Sequence, residues 1–369
     1  MHLDTIVIGG SQAGLAAARH LARHGRRFLV LDAGERVGDA WRTRWDSLRL
    51  FTPARYSGLP DLPFPAAPYH LPTKDEVADY LERYVEHFAL PVRLGARVTA
   101  VRRAGGIAGA GAGFEVESGA GTLHASNVVV ATGAFQRPRV PAFATALDPR
   151  IVQLHSSGYR APSVLPGGDV LVVGAGNSGA QIALELAATR RVLLAGRDTG
   201  RLPRRFLGRD VYDWIWPTVM RASAESRVGR RLRARMHHGD PLIGIDRGEL
   251  RRAGIERAGR VVGVRDGLPL LDDGRTPAVA AIVWCTGFGP GFEWIELPVL
   301  DAEGRPRHRR GVTDVPGLYF VGLRFQTHVA SPLLGGVGRD AREVVEHLVH
   351  CDPAPHTPQP PRENAHALQ

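Results

Sequence analysis

Short apolar runs, each followed by a glycine-rich turn and an Ala/Leu-rich stretch, organise the amino-terminal part of the chain. Residues 4–8 form the first run, a helical pattern follows over about 13–24, and residues 28–31 form a second run that ends at Asp32. Apolar runs of four to eight residues are typical of buried strands, and apolar positions three to four apart indicate helices. The pattern therefore predicts a β–α–β unit.

The same pattern returns further along the chain, where Gly174 lies 165 residues after Gly9. Residues 169–173 and 191–194 are predicted strands, with a helix over 180–188 between them. An internal repeat of this kind indicates a duplicated structural unit. The predicted fold class is α/β, with two Rossmann-type dinucleotide-binding domains, each of the three-layer ββα type.

Two further strand ends each meet a glycine turn and flank the repeated motif, at residues 131–133 and 285–288. We interpret them as the two crossings of the chain between domains, so that the second domain is inserted into the first. The predicted boundaries are 1–160 and 281–350 for the first domain, 161–280 for the inserted domain, and 351–369 for a disordered, Pro- and His-rich tail.

The first glycine motif runs Gly9-Gly10-Ser11-Gln12-Ala13-Gly14. Its turn lets the backbone reverse, and the following helix offers free N–H groups to a pyrophosphate. Asp32 at the end of the next strand would accept hydrogen bonds from a ribose hydroxyl. Ser11 stands where the second of the three glycines is usual. A packing role for the turn is the alternative, but the order of strand, helix, strand and acid favours a dinucleotide.

The second motif, Gly174-Ala175-Gly176-Asn177-Ser178-Gly179, carries all three glycines, and the strand after it ends in Gly196-Arg197 rather than in an acid. An arginine pairs with a 2′-phosphate that a carboxylate would repel. The motif therefore predicts NADPH rather than NADH, the alternative being that Arg197 is one more surface arginine. Further arginines that could clamp the phosphate are Arg201, Arg204 and Arg205.

Composition narrows the class of protein. The formal charge is +10, almost all of it from scattered arginines, so we expect no nucleic-acid partner. Cys285 and Cys351 are the only cysteines, which excludes a CxxC dithiol reductase, a disulfide scaffold and zinc-type Cys/His spacing. No apolar run approaches the roughly 20 residues of a membrane helix. Since the first strand begins at once, we expect no signal peptide and a cytoplasmic location.

Two segments have local signals of their own. Residues 73–88 have helical spacing, with Thr73 as the predicted cap and Glu76 three residues later. The arginine-rich segment 203–240, which contains Trp214 and Trp216, is predicted to be helical. It could cover a substrate entrance or touch a membrane surface, and an ordinary amphipathic helix pair is the alternative.

Five stretches resemble the class B flavin-dependent monooxygenases, a family that includes plant flavin monooxygenases of auxin synthesis and bacterial oxidoreductases associated with cation efflux. Together they span about residues 4–345. The stretches are 8–15, 41–50, 172–179, 318–323 and 335–341.

The resemblance implies two cofactors, FAD and NADPH. The residues it and the motifs place against FAD are Gly9, Gly10, Ser11, Gln12, Ala13, Gly14, Asp32, Ala33, Trp41, Thr52, Val98, Ala131, Thr132, Gly133, Gly322 and Leu323. Those expected against NADPH are Gly174, Gly176, Asn177, Ser178, Gly179, Arg197, Arg204 and Arg205. The candidate catalytic residues are Asn177, Gln326 and His328.

The resemblance further implies a monooxygenase. NADPH reduces the flavin, oxygen adds at flavin C4a, and one oxygen atom passes to a small amine, sulfide, carbonyl compound or α-keto acid. No metal and no integral membrane segment are expected, and a homodimer is considered.

Two departures from the family keep alternatives open. Phe143 and His155-Ser156-Ser157 match only half of the interdomain fingerprint, and Phe51-Thr52 stands where many oxygenating members have Asn. The second departure slightly favours a reductase or oxidase that passes electrons to another acceptor. A non-catalytic NADP or redox sensor is the third hypothesis, with the basic run 226–235 as its partner surface.

Overall fold

The computed structural model describes residues 2–105, 113–237 and 239–352. The predicted tail lies outside the described residues from position 353 onward. The strands are β1 (His2–Ile8), β2 (Phe28–Leu31), β3 (Val92–Arg93), β4 (Val98–Arg103), β5 (Phe114–Ser118), β6 (Gly121–Val130), β7 (Arg137–Pro138), β8 (Val152–His155), β9 (Val170–Val173), β10 (Val192–Ala195), β11 (Arg201–Leu202), β12 (Arg205–Phe206), β13 (Arg209–Asp210), β14 (Leu242–Ile243), β15 (Glu256–Ala258), β16 (Val261–Arg265), β17 (Leu268–Leu271), β18 (Ala281–Trp284), β19 (Phe288–Gly289) and β20 (Leu318–Phe320).

The helices alternate with these strands. They are α1 (Gln12–Arg23), α2 (Asp39–Arg42), α3 (Lys74–Phe88), α4 (Asn177–Ala187), α5 (Val211–Ile215), α6 (Arg227–Met236), α7 (Arg247–Arg252) and α8 (Val337–Cys351). Short 3-10 turns lie at Ala54–Tyr56, Ala142–Ala146 and Pro162–Val164, and a π-turn at Trp216–Met220 continues α5. No helix of the described ranges is long and apolar enough to cross a membrane.

The first sheet has the strand order β3-β2-β1-β6-β5-β4, and β20 pairs with the carboxyl half of β6. Its β1, β2, β3, β6 and β20 are parallel neighbours, while β4, β5 and β6 form an antiparallel meander. Helix α1 packs against α8 on one face, where His20 Nε2 lies 3.2 Å from Gly338 O. The other face is covered by Phe292, Ile295 and Val299.

The second sheet is wholly parallel, in the order β15-β10-β9-β18-β8. All residues of β9 and β18 are buried, as is usual for parallel strands covered on both faces. Two α/β sheets, with the second built from an insertion into the first, confirm the predicted fold class.

The strand pairings differ from the predicted domain boundaries at two places. Strands β8 and β18 pair with each other and β18 pairs with β9, so both belong to the second sheet. The boundaries predicted at residues 160 and 280 leave both strands in the first domain. The pairings move the crossings to before Val152 and after Trp284. The domain division itself stays a prediction, since sheet pairing does not test independent folding.

The two crossings lie side by side. The first passes through β7 and the second through β19, and these two strands pair antiparallel, with Phe288 opposite Pro138. Arg139 N donates to Gly287 O at 3.0 Å and extends the pairing. The predicted glycine turns at 131–133 and 285–288 therefore stand at the start of one shared connection between the sheets.

The segment 203–240 is helical only in part. Strands β12 and β13 form an antiparallel hairpin, with Arg205 opposite Asp210. Helices follow over α5 and α6. The expectation of a continuous helical segment is wrong at 203–210, because Leu207 and Gly208 both have positive φ, +49° and +76°, and turn the chain back.

Candidate functional site

The first glycine turn lies between β1 and α1. Gly9 has φ +107°, and a Cβ on it would lie 2.8 Å from Ala131 O. A Cβ on Gly14 would lie only 1.8 Å from Gly9 O, so the helix rests directly on the turn. Ser11 is the N-cap of α1, and its side chain makes no capping hydrogen bond. The N-terminal N–H groups are therefore presented at the carboxyl end of the sheet, as an anion site requires.

Asp32 braces this turn from the next strand. Its Oδ2 accepts from Gly10 N at 2.5 Å and its Oδ1 from Gly34 N at 2.7 Å. Each carboxylate oxygen retains lone-pair capacity for a ribose hydroxyl. Ala96 N donates to Asp32 O at 2.8 Å, which brings the start of β4, and with it Val98, near Asp32 and its neighbour Ala33.

Other predicted FAD residues surround the same turn. Trp41 Nε1 donates to Gln12 Oε1 at 3.2 Å, which places the indole beside the start of α1. Gly322 has φ +88°, and a Cβ there would lie 2.7 Å from Ala13 Cβ, so the stretch with Leu323 closes on this helix. The buried Thr132 Oγ1 has no hydrogen-bond partner among the described residues. Thr52 is buried in the segment 51–57, where Ser57 Oγ donates to its carbonyl, and its place against FAD stays a prediction.

The second glycine turn repeats this geometry between β9 and α4. Gly174 has φ +112°, and a Cβ on it would lie 2.2 Å from Cys285 O. A Cβ on Gly179 would lie 1.8 Å from Gly174 O, the same separation as in the first turn. A Cβ on Gly176 would meet nothing within 4 Å, so the middle of this turn is open.

Arginines gather where β10 ends beyond this turn. Arg197 is exposed there, and Arg257 Nη2 donates to Gly196 O at 3.1 Å from the neighbouring strand β15. The adjacent carboxylate of Asp198 is bound by Arg247. Arg257 was not found from the sequence, because the pairing of β15 with β10 has no motif.

The other arginines predicted for the phosphate lie elsewhere. Arg204 Nη1 donates to Phe51 O at 2.6 Å, and Nη2 lies 2.8 Å from Asp210 Oδ2. These contacts tie the inserted domain to the first domain. Arg205 is exposed on the β12–β13 hairpin. The clamp role for both residues stays a prediction.

The three candidate catalytic residues already have protein partners. Asn177 Nδ2 donates to Pro241 O and its Oδ1 accepts from Ile243 N, each at 3.0 Å, which fastens α4 to the segment around β14 next to Ser178. Gln326 is buried, and its Nε2 donates to Phe320 O at 2.9 Å while its Oε1 accepts from Leu323 N at 3.2 Å. Its amide therefore shapes the turn at Gly322.

His328 belongs to a buried polar cluster that the sequence did not predict. Its Nδ1 lies 2.8 Å from Thr327 Oγ1 and 3.2 Å from Ser331 Oγ. Thr327 Oγ1 donates to Oδ1 of Asp340, which is fully buried in α8. Asp340 Oδ2 has no hydrogen-bond partner among the described residues. A buried carboxylate oxygen of this kind is costly unless a ligand, a water or a proton satisfies it.

An interdomain contact joins α5 to the first domain. Asp213 Oδ1 accepts from Tyr56 Oη at 2.6 Å, and Oδ2 accepts from Tyr69 Oη at 2.9 Å. Burial by itself would raise the pKa of Asp213, but these hydrogen bonds and the charge of Arg55 lower it below its usual value. The ring centroids of Tyr56 and Trp216 lie 5.0 Å apart. The carboxylate therefore holds α5 against the first domain.

His155 lies at the shared connection between the sheets. Its Nε2 lies 3.0 Å from Gly287 O, and its Nδ1 lies 2.9 Å from Ser157 Oγ and accepts from Ser157 N at 3.2 Å. A carbonyl can only accept, so Nε2 carries the proton and Nδ1 is unprotonated. Burial, with the charge of Arg44, lowers the pKa of His155.

Comparison with known proteins agrees with this geometry. The pyridine nucleotide-disulphide oxidoreductase family matches residues 6–242. The chain belongs to this family.

Relatives within it narrow the class of oxidoreductase. A CzcO-like oxidoreductase of Geobacillus kaustophilus is 39% identical over 94% of this chain and 99% of its own length. The indole-3-pyruvate monooxygenase YUCCA4 of rice is 28% identical over 93% of this chain and 87% of its own. The structure of a flavin-containing monooxygenase from Stenotrophomonas maltophilia has a TM-score of 0.77 at 28% identity, covering 95% of this chain and 99% of that one. The predicted resemblance to flavin-dependent monooxygenases is confirmed, and the chain is an oxidoreductase.

The packing of Gly179 on Gly174 O predicts an asymmetry between two glycines of this oxidoreductase. Gly179→Ala places a methyl group 1.8 Å from that oxygen, so the free energy of unfolding should fall by roughly 1–3 kcal/mol. Gly176→Ala, whose Cβ meets nothing, should change it by less than about 1 kcal/mol. Urea unfolding of the purified variants measures both values. Equal stabilities would contradict the packing described here.

The burial of His155 predicts sensitivity to acid. Because its pKa is lower in the folded state, the unfolded chain binds the proton first, and the free energy of unfolding should fall as pH drops below about 6.5. Burial also lowers the pKa of His20 and His308, so all three histidines contribute in the same direction. The free energy of unfolding should depend less steeply on pH in His155→Gln than in the unsubstituted protein, as measured by urea unfolding between pH 8 and 5. Identical slopes in the two proteins would refute this assignment.

Proposed function

We propose that the protein is an FAD-dependent, NADPH-consuming monooxygenase that uses O2 to oxidise a small organic substrate. The observation that carries the proposal is the pair of glycine turns with the same geometry but opposite charges beyond them. Asp32 braces the first turn, and Arg197 with Arg257 stands beyond the second. The flavin-containing monooxygenase and the indole-3-pyruvate monooxygenase named above support the class of reaction.

FAD fits the first turn on three grounds. The open N-terminus of α1 suits a pyrophosphate, and the carboxylate of Asp32 suits a ribose without a 2′-phosphate. The unpartnered Thr132 Oγ1 offers a further hydrogen bond. When bound, FAD supplies hydride acceptance and oxygen activation, while the protein positions the groups and excludes water.

NADPH fits the second turn. Gly174, Gly176 and Gly179 would let a pyrophosphate approach the N-terminus of α4, and the guanidinium groups of Arg197 and Arg257 would pair with the 2′-phosphate. With its amide engaged by Pro241 and Ile243, Asn177 acts here as a positioning residue for this turn.

The segment 203–240 supports a closed substrate site. Ala224 N donates to Thr327 O at 2.8 Å and Ala330 N to Met220 O at 3.0 Å, so the segment lies over the buried cluster of His328. Exclusion of water protects an activated oxygen from loss. Amines, sulfides, carbonyl compounds and α-keto acids are the proposed substrates. A homodimer and the predicted disordered tail stay predictions.

A reductase or oxidase is the second candidate, favoured by Phe51-Thr52 in place of an Asn. Reduction of a disulfide by a protein thiol finds no support, because burial raises the pKa of Cys285 to about 12 and the other cysteine, Cys351, lies at the end of α8. A thiolate nucleophile needs a lowered pKa.

The proposal is tested by the fate of oxygen. The FAD-loaded full chain is mixed with NADPH and 18O2 in the presence of each substrate class. A monooxygenase incorporates 18O into the product and consumes more NADPH than it releases H2O2. Release of H2O2 equal to NADPH consumption, with every substrate, would indicate an oxidase. Absence of any NADPH oxidation by flavin-loaded protein, both with these substrates and with ferricyanide as an artificial electron acceptor, would leave only the non-catalytic sensor.

The arginines beyond the second turn predict the choice of nicotinamide cofactor. Arg197→Ala should raise the KM for NADPH about 10- to 100-fold, because a hydrogen-bonded charge pair is lost, and leave the KM for NADH unchanged. Arg257→Ala should likewise raise the ratio of the KM for NADPH to the KM for NADH. Arg265→Ala, on the β16–β17 hairpin, serves as the control. Steady-state rates of NADPH and NADH oxidation measure the ratio, and a parallel change in both KM values would refute the phosphate contact.

A further inference from the structure

Large apolar side chains are exposed together at the β12–β13 hairpin and the helix α5 that follows it. Leu207 is 74% exposed, Phe206 52% and Trp214 41%. The rings of Phe206 and Trp214 pack edge to face with centroids 6.4 Å apart, and Trp214 Nε1 donates to Phe206 O at 3.1 Å. We call residues 205–210 with Trp214 the hairpin tip. Its indole N–H is satisfied by the backbone, so the tip is held rigid while it presents apolar surface.

The turn at the hairpin tip has an unfavourable residue. Leu207 and Gly208 are its two central residues, and both have positive φ, +49° and +76°. Such two-residue turns favour Asn, Asp or Gly at the first central position. A leucine there has a strained backbone at positive φ, and its side chain forms no local hydrogen bond that would offset the strain. An exposed leucine in this place lowers folding stability, which indicates that the side chain serves another purpose.

The charge around the hairpin tip is positive. Arg205 and Arg209 are exposed beside the apolar residues, and the guanidinium of Arg209 lies 5.7 Å from the centre of the Trp214 ring. The two neighbouring carboxylates are neutralised: Asp210 pairs with Arg204, and Asp213 with Arg55. The tip is therefore complementary to an anionic surface.

We propose that the hairpin tip docks the protein on a membrane surface that carries anionic lipid headgroups. Exposed Leu, Phe and Trp side chains next to exposed arginines match the requirement for shallow insertion into the lipid interface. A stable protein partner would need about 800 Å² of matched surface, far more than three side chains supply. The proposal does not depend on the enzymatic activity. Docking here brings lipid next to the interdomain contact of Asp213.

The test is sedimentation of the FAD-loaded full chain with phosphatidylcholine vesicles, with and without phosphatidylglycerol. We expect binding to the anionic vesicles that weakens as salt rises, because the arginines act through screened charge. Leu207→Asn should lower the vesicle affinity about tenfold, as expected for loss of one inserted leucine. The same change should keep or raise the thermal midpoint, because Asn suits the turn.

Matched variants separate the apolar contribution to vesicle binding from the electrostatic one. Arg205→Gln with Arg209→Gln should remove the preference for phosphatidylglycerol, and Val262→Asn, an exposed apolar residue on β16, should change nothing. Leu207→Gly is a second variant with the same expected loss of binding and a fully compatible turn.

Four results would overturn the proposal. The first is absence of binding to anionic vesicles at low salt. The second is binding that neither the Leu207 variants nor the Arg205→Gln, Arg209→Gln double variant changes. The third is binding of polyglutamate but not vesicles, which would indicate an acidic protein partner. The last is a dimer in gel filtration that Leu207→Asn dissociates, which would assign the hairpin tip to a second copy of the chain.

Discussion

The contact between a helix and the carbonyl group of the turn before it is the constraint on which both nucleotide turns depend. Gly14 and Gly179 each leave 1.8 Å between a would-be Cβ and the carbonyl oxygen of Gly9 or Gly174. Only glycine permits this approach, and the approach aims the helix N-terminus at the carboxyl end of the sheet. The parallel pairing of the neighbouring strands brings Asp32, Thr132 and Gly322 to the same edge as the first turn, and Arg197 and Arg257 to the edge beyond the second.

Identical turns become different sites through the residues at the ends of the neighbouring strands. The carboxylate of Asp32 accepts hydrogen bonds from two backbone N–H groups, those of Gly10 and Gly34, and thereby fixes the conformation of the first turn. Beyond the second turn the carboxylate of Asp198 is paired with Arg247, and Arg197 and Arg257 add positive charge at the same strand ends. The first arrangement suits a cofactor that is held permanently, and the second suits one that binds and leaves.

The sequence predicted those parts of the structure that local chemistry determines. Both glycine turns lie where the motifs place them, and the predicted cap of α3 forms, with Thr73 Oγ1 accepting from Glu76 N at 3.2 Å. Gly335, in one of the stretches that carry the resemblance, has a reason that only the structure gives, since a Cβ there would lie 2.1 Å from the distant Tyr56 O.

Features set by contacts distant in sequence were missed. Strand β8 has an exposed and half-buried pattern with no glycine signal, so nothing in the sequence assigns it to the second sheet. Asp340 and Asp213 become important only through Thr327 and Tyr56, which lie 13 and 157 residues away. The hairpin at 205–210 was missed because Leu207 is a poor residue for its turn.

The pairing of β7 with β19 has a consequence for the history of the chain. The inserted unit leaves and rejoins the first sheet through two strands that touch, Arg137–Pro138 and Phe288–Gly289. A unit whose two ends meet can be acquired by one insertion into a surface connection without separating the strands on either side. The order of β6, the insertion and β20 is therefore compatible with an ancestral single nucleotide-binding domain that was already complete before it gained the second.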